Sequence, residues 1–121
     1  MNFIKPLSQL DNLPRNWITA LESSRGVYLL TCPKTREQYV RSATSEQGFW
    51  GRWQDYSRTG HGGNVGLLSR GPSDYQVSIL EVAGTSATEH DIRSMEGRWQ
   101  SKLQSREMGL NRNLAKNAKA E

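Results

Sequence analysis

The sequence contains very little cysteine and histidine. It has one cysteine, Cys32, and two histidines among 121 residues. A lone cysteine excludes an intramolecular disulfide and a cysteine cluster for zinc, because both need at least two thiols. We therefore expect a fold that needs neither, which is typical of proteins in the reducing cytoplasm.

Long apolar runs are also missing. The first ten residues, MNFIKPLSQL, have no sustained hydrophobic segment. A signal peptide needs a short apolar core and a membrane-spanning helix needs about 20 apolar residues. We therefore expect neither, and predict a cytoplasmic protein with no membrane partner.

The charge balance is basic. Sixteen Lys and Arg residues stand against 12 Asp and Glu residues, which gives a net charge of +4 and a pI near 9.5. This favours a polyanionic partner, although many basic proteins only have a solvated basic face. A chain of this length fits one domain with a modest core.

Strand patterns occur in three places. Residues 26–31 (GVYLLT) and 38–43 (QYVRSA) are rich in strand formers and flank the turn-like segment CPKTRE, which predicts a β-hairpin. Tyr28 and Tyr39 then lie on neighbouring strands. The alternating segment YQVSILEVA, residues 75–83, predicts the third strand.

Helical patterns occupy most of the remaining chain. Short helices are predicted over residues 15–24 and from about residue 49 to 58, and a longer one is capped within Thr85–Thr88 and ends near Gly109. The long helix has an apolar stripe of Ile92, Met95, Trp99 and Leu103. The elements predict an α+β fold, in which helices flank a small three-stranded antiparallel sheet.

The segment TGHGGNVGLLSRGPSD, residues 59–74, contains five of the eleven glycines. It is predicted to be a long loop with room for a helical turn at Val65–Leu68. Candidate contacts to DNA or RNA in and beside it are Arg58, His61, Asn64 and Arg70. A glycine-rich loop without any such contacts is an equal alternative.

Arg52 and Tyr56 are four residues apart in the second helix. This spacing places them on one helix face, where a guanidinium and a phenol can reach the same phosphate. The alternative is a surface arginine that stacks on a half-buried tyrosine.

Five segments together resemble the GIY-YIG nuclease domain. They are GVY at 26–28, YVRSA at 39–43, GRWQDY at 51–56, Glu96 in the last helix and LN at 110–111. The resemblance covers residues 24–114, the nuclease-like core. Length and composition predict one domain over residues 1–121, in which an N-terminal helical extension (1–23) precedes this core and a polar basic tail (115–121) follows it.

The resemblance also implies catalytic roles. Tyr28 would activate the attacking water, and Tyr39 would shape the same pocket. His61, in the glycine-flanked loop just after the Arg52 helix, is a candidate from its own chemistry to relay protons or hold a phosphate near neutral pH. A phenol with a pKa near 10 is a poor base at neutral pH unless a neighbouring charge lowers that pKa. Arg52, a metal ion and His61 are the available neighbours.

Glu96 is implied as the ligand of one divalent cation, Mg²⁺ or Mn²⁺, and Asn111 as a hydrogen-bonding residue that positions substrate or supports the fold. From the residues alone, Glu96 lies beside the apolar stripe and so near the sheet, where a carboxylate needs a partner. Its alternative role is a surface ion pair with Arg93 or Arg98.

Arg41 departs from the family pattern, which has glycine at this position. Glycine allows close approach to the backbone, whereas arginine does not. Three interpretations stay open: an added nucleic-acid phosphate contact, a side chain that points into solvent, or an obstruction of the pocket.

These observations favour a metal-dependent DNA endonuclease, with single-stranded or branched DNA as a candidate substrate and duplex DNA or RNA also open. One alternative is a catalytically impaired nucleic-acid-binding module of the same fold, because of Arg41. Another is an interaction domain that presents Trp50, Trp53 and Trp99 to a partner.

Overall fold

The computed structural model describes residues 4–59 and 75–105, with the backbone alone for 57–59. Its elements are β1 (Ile4–Pro6), a 3-10 helix (Leu7–Asn12), α1 (Arg15–Ser23), β2 (Gly26–Thr31), β3 (Gln38–Ala43), α2 (Gly48–Thr59), β4 (Gln76–Val82) and α3 (Glu89–Leu103). The predicted α+β class is confirmed. In these ranges no helix combines the length and apolar character needed to cross a membrane.

The sheet has four antiparallel strands in the order β1-β4-β2-β3. The three predicted strands are present, but the prediction of three was one short, because β1 pairs Ile4 with Ser78 and Pro6 with Gln76. A three-residue strand with a proline carries almost no sequence pattern, and proline is tolerated at a sheet edge. The N-terminal segment that was predicted as a helical extension thus contains this strand as well as α1.

The β2–β3 hairpin turns through residues 32–37, as predicted. The Cys32 N–H donates to the Glu37 carbonyl at 2.9 Å, and the Arg36 N–H donates to the Cys32 carbonyl at 2.9 Å. Arg36 has a left-handed backbone with φ 67°. The turn fixes a register in which Tyr28 lies opposite Arg41 and Leu30 opposite Tyr39.

Strand alternation gives the sheet two differently covered faces. On the face that we call the α2 face, Tyr28, Leu30 and Tyr39 pack with residues of α1, α2 and the 3-10 helix. On the α3 face, Val27 and Val40 pack with Met95 of α3. Neighbouring residues of β3 therefore face different helices.

Gly48 begins α2 at a point where no side chain fits. Its φ is +60°, and a Cβ atom there would lie 2.3 Å from the Ser24 carbonyl oxygen. The same carbonyl accepts a hydrogen bond from the Phe49 N–H at 3.0 Å. The close approach joins the end of α1 to the start of α2 and sets the position of α2 over the sheet.

The start of α3 follows the prediction. Thr88 and Asp91 form a capping box, with Asp91 N–H to Thr88 Oγ1 at 3.1 Å and Thr88 N–H to Asp91 Oδ2 at 2.9 Å. Backbone and side-chain hydrogen bonds with Thr88 lower the pKa of Asp91. α3 ends at Leu103, because Gln104 adopts a left-handed conformation; Ser105 is helical again, and the predicted end near Gly109 lies outside the described residues.

Candidate functional site

Three tyrosines form a cluster between β2, β3 and α2. The tyrosine cluster consists of Tyr28, Tyr39 and Tyr56, all of them buried. Tyr56 lies 6.2 Å from the ring centroid of Tyr28 and 6.4 Å from that of Tyr39, both in edge-to-face geometry. The two strand tyrosines are neighbours as predicted, and both contact the same tyrosine of α2.

Arg52 joins this cluster from the same helix as Tyr56. The hydroxyl of Tyr56 accepts two hydrogen bonds, from Tyr28 Oη at 3.1 Å and from Arg52 Nη2 at 3.3 Å. The Arg52 guanidinium carbon also lies 5.2 Å from the Tyr56 ring centroid. The four-residue spacing thus brings both side chains together as predicted. The stacking is that of the alternative interpretation, except that Tyr56 is buried and not half-buried.

The Arg52 guanidinium is only partly covered, because its side chain is 26% exposed. Burial lowers the pKa of Arg52, but attraction by Tyr28 and Tyr56 exceeds that effect and the net pKa is raised. Asp55 Oδ2 lies 3.5 Å from Arg52 Nη1 in a partly exposed ion pair, which is a weak interaction in water. Arg52 therefore presents a permanent positive charge to solvent beside buried phenols.

Tyr28 keeps its proton in this arrangement. Burial raises the pKa of Tyr28 well above 10, Tyr56 raises it further, and Arg52 lowers it by a smaller amount. The net shift is opposite to the one that a general base needs. His61, the other neighbour expected to lower this pKa, lies outside the described residues.

The buried tyrosines predict alkaline sensitivity. Burial is the largest cause of the raised pKa of both Tyr28 and Tyr39. Below pH 10 these phenols are neutral in the folded and unfolded chain alike; above pH 10 the unfolded chain loses protons first. The free energy of unfolding should then fall by up to about 1.4 kcal/mol per pH unit for each such tyrosine.

Urea unfolding between pH 8 and 11 measures this dependence. Tyr28→Phe, which removes one of the two phenols, should reduce the slope above pH 10. A free energy of unfolding that stays constant up to pH 11 would contradict the burial of these hydroxyls.

Glu96 lies on the other side of the sheet, against the α3 face. Ser42 Oγ donates to Glu96 Oε1 at 2.5 Å, and Gln100 Nε2 contacts Glu96 Oε2 at 3.3 Å and the Val40 carbonyl at 3.1 Å. The predicted position near the sheet is confirmed. Of the two arginines considered as partners, Arg93 instead lies 3.8 Å from Glu89.

Arg41 lies in β3 on the α2 face, with the tyrosine cluster, and the next residue, Ser42, contacts Glu96 on the other face. It pairs directly with Tyr28 across the hairpin, and it is half-buried, so its side chain is partly covered and partly exposed to solvent. Its Nε atom is enclosed and has no hydrogen-bond partner among the described residues. Burial lowers the pKa of Arg41, but attraction, first by Tyr39 and then by Glu96, gives a net increase.

The surroundings of Glu96 do not fit the divalent cation that the resemblance implies. Both oxygens of Glu96 accept hydrogen bonds, and Arg41 is close enough for Glu96 to raise its pKa. Within residues 4–59 and 75–105, no three His, Cys, Asp or Glu side chains are grouped as metal ligands. A divalent cation at Glu96 would have to displace the hydrogen bonds from Ser42 and Gln100.

Several predicted site residues are not placed by the structure. The Arg58 side chain, His61, Asn64, Arg70 and Asn111 lie outside the described part of the chain. The structure adds Ser42 and Gln100, which sequence reasoning did not include. Two signals in the sequence could have identified them. Ser42 directly follows Arg41, and Gln100 is four residues from Glu96 on the same helix face.

The tryptophans proposed as a partner surface belong largely to the interior. Trp53 is fully buried, and Trp50 and Trp99 are half-buried against the two core clusters. Trp99 Nε1 also donates to Glu81 Oε1 at 2.9 Å. These contacts give the tryptophans a structural role.

The candidate site therefore consists of two parts on opposite faces of the sheet. Arg52 and the tyrosine cluster form one part on the α2 face, and Glu96, Ser42 and Gln100 form the other on the α3 face. Comparison of the chain with protein-family models, curated proteins and solved structures gives no match.

Proposed function

We propose that this domain binds a phosphodiester of DNA at Arg52 and hydrolyses it, as an endonuclease of the GIY-YIG type. The proposal is carried by the hydrogen-bonded series Arg52, Tyr56 and Tyr28. A guanidinium held by a buried phenol and partly open to solvent suits a phosphate oxygen in charge and geometry. The motif resemblance and the basic net charge support the same assignment.

Hydrolysis forms a bond from water oxygen to phosphorus and breaks the bond to the leaving ester oxygen. The attacking water releases a proton to solvent, and the leaving oxygen takes up a proton from solvent. Negative charge on the phosphoryl oxygens is stabilised by Arg52, which Tyr56 holds in a fixed orientation. Tyr28 keeps its proton in this structure, so its part here is to hold Tyr56. The resemblance implies that Tyr28 removes the water proton, but a phenol that keeps its own proton cannot do so, and in this scheme that proton passes to solvent.

Metal dependence is part of the proposal through the resemblance alone. Mg²⁺ or Mn²⁺ would supply additional stabilisation of phosphoryl charge. The surroundings of Glu96 do not fit such an ion, so the negative charge on the phosphoryl oxygens is stabilised here by the Arg52 guanidinium. The cleavage assay therefore compares Mg²⁺, Mn²⁺ and EDTA.

Binding without hydrolysis is the second candidate. It is favoured by the raised pKa of Tyr28 and by Arg41, which occupies the position where the family pattern has glycine. In either case the partner is a nucleic acid, DNA in single-stranded or duplex form or RNA. We propose the cytoplasm as the location, since Cys32 has no second cysteine with which to form a disulfide.

A cleavage assay separates the two candidates. Purified protein is incubated with end-labelled single-stranded and duplex DNA of one sequence, in Mg²⁺, Mn²⁺ or EDTA. Tyr56→Phe, which removes the oxygen that Arg52 and Tyr28 contact, should lower cleavage by roughly 10-fold or more. Tyr75→Phe, at a buried tyrosine of the core, is the matched control and should cleave at the parent rate.

The outcomes differ for each proposal. Product formation that depends on Tyr56 supports the endonuclease. Salt-dependent binding without product in any condition supports the binding module. Absence of both binding and product would contradict both functions.

A further inference from the structure

Two arginines adjoin the tyrosine cluster on the α2 face, one more than the proposed phosphate site uses. We infer that Arg41 and Arg52 together bind the terminal phosphate monoester of a nucleic-acid strand, and hold it more tightly than an internal phosphodiester. Such a strand end is also a product of the proposed hydrolysis. The inference rests on the proposed phosphate site at Arg52 but not on cleavage.

The backbone places Arg41 on the same face as the tyrosine cluster. Arg41 is the cross-strand partner of Tyr28, and the side chains of directly paired antiparallel residues lie on one face of the sheet. It also follows Tyr39 by two residues, and Val40 between them packs with α3 on the other face. Arg41 therefore adjoins the cluster from β3.

Arg52 reaches the same cluster from α2. Its Nη2 atom donates to the Tyr56 hydroxyl at 3.3 Å, and this hydroxyl also accepts from Tyr28, the partner of Arg41, at 3.1 Å. Two hydrogen-bonded phenols thus connect the positions of the two arginines. Burial is the largest cause of the raised pKa of Tyr39, and Arg41 and Arg52 both act against it, in agreement with this placement.

Both arginines can take a further acceptor. The Nε atom of Arg41 is enclosed and has no hydrogen-bond acceptor in the described ranges, which is unfavourable because its interaction with water is lost and not replaced. The Arg52 side chain is 26% exposed and has only a partly exposed ion pair with Asp55 at 3.5 Å. An anion bound at the cluster would supply acceptors to both.

The surroundings leave the two positive charges poorly balanced. Tyr28 and Tyr39 keep their protons, since burial raises the pKa of each, and so contribute no negative charge. The ion pair of Arg52 with Asp55 is weak in water. Glu96 lies on the α3 face, where both of its oxygens already accept hydrogen bonds. A ligand with more than one negative charge is therefore favoured.

The donor arrangement selects a phosphate with three free oxygens. A guanidinium binds phosphate best as a fork, with two N–H groups on two oxygens. An internal phosphodiester has two non-bridging oxygens and one negative charge, which one such fork satisfies. A phosphate monoester has three such oxygens and a charge of about −1.5 to −2 at neutral pH. A second guanidinium therefore has an acceptor only when the phosphate is at a strand end.

Matched oligonucleotides test this preference. Fluorescence anisotropy is recorded in EDTA at one salt concentration, with internally labelled single strands of one sequence that carry a 5′-phosphate, a 3′-phosphate or hydroxyls at both ends. The wild-type protein should bind a phosphorylated strand about ten-fold or more tightly than the hydroxyl strand, and the two phosphorylated arms identify the end. Arg41→Gln should bind all three strands within about two-fold of one another.

Two further variants make the result specific. Arg98→Gln removes the same charge from an exposed position of α3 and should keep the wild-type preference for a phosphorylated end. Arg41→Lys keeps the charge but loses the planar fork, and should keep only part of that preference. Circular dichroism checks each fold; if Arg41→Gln is unfolded, Arg41→Lys decides, and an undiminished preference in it would overturn the inference.

Equal binding of all three strands by the wild-type protein, or a preference that persists in folded Arg41→Gln, would also overturn it. Cleavage without any end preference would leave the proposed hydrolase standing and defeat this inference. An end preference that depends on Arg41, without cleavage, would defeat the hydrolase and support this inference.

Discussion

Arg52→Ala is expected to lower the rate of DNA cleavage by roughly 100-fold or more. Removing one preorganised charged donor from a hydrolytic site typically costs this much in turnover. Arg52 is held by Tyr56, partly exposed and permanently charged, so it can meet a phosphate without rearrangement. The measurement is single-turnover cleavage of labelled DNA with protein in excess.

Two control variants make the result specific. Arg52→Lys keeps the charge but loses the planar pair of donors, and should recover only part of the rate. Arg98→Ala removes an exposed arginine from α3 and should leave the rate within about two-fold of the parent. If Arg52→Ala and Arg98→Ala cut at the same rate, Arg52 does not contact the reacting phosphate.

Trp53→Ala is expected to lower the free energy of unfolding by roughly 3–5 kcal/mol. Trp53 is fully buried, and its ring lies 6.0 Å from that of Tyr28 and 5.5 Å from that of Phe49. Its loss leaves a cavity between α2 and the sheet. Because the total free energy of unfolding of a small domain is only about 5–15 kcal/mol, this variant would lose a large share of its stability. Urea denaturation measures the loss.

Trp53→Phe retains an aromatic ring and should cost clearly less than the alanine variant. Trp50→Ala, at the half-buried neighbouring position, should also cost less. A Trp53→Ala protein as stable as Trp50→Ala would contradict the packing of α2 on the sheet. Arg52→Ala should not lower the free energy of unfolding as much as Trp53→Ala does. Variants at these two adjacent residues therefore separate an effect on cleavage from an effect on stability.

Much of the framework was predictable from local pattern. The strand formers in GVYLLT and QYVRSA, with a turn-like segment between them, correctly predict β2 and β3. The four-residue spacing of Arg52 and Tyr56 correctly predicts their contact. These features depend on neighbours within a few residues, which is the range over which propensity and periodicity act.

Other features depend on partners distant in sequence. Strand β1 exists because β4 offers an edge to pair with, and its three residues carry no pattern of their own. The position of Arg41 on the face of Tyr39 follows from strand alternation, but the contact of Glu96 with Ser42 depends on how α3 crosses the sheet. Ser42 and Gln100 enter the site for the same reason.

The β2–β3 turn has a consequence for the way in which this site can change. Because successive β3 residues face opposite helices, deleting one residue from the turn at 32–37 would shift the pairing by one position. Val40 and Ser42 would then lie under α2, while Arg41 would lie under α3. A one-residue change in the length of the turn would thus move every β3 side chain to the opposite face of the sheet, which no single substitution does.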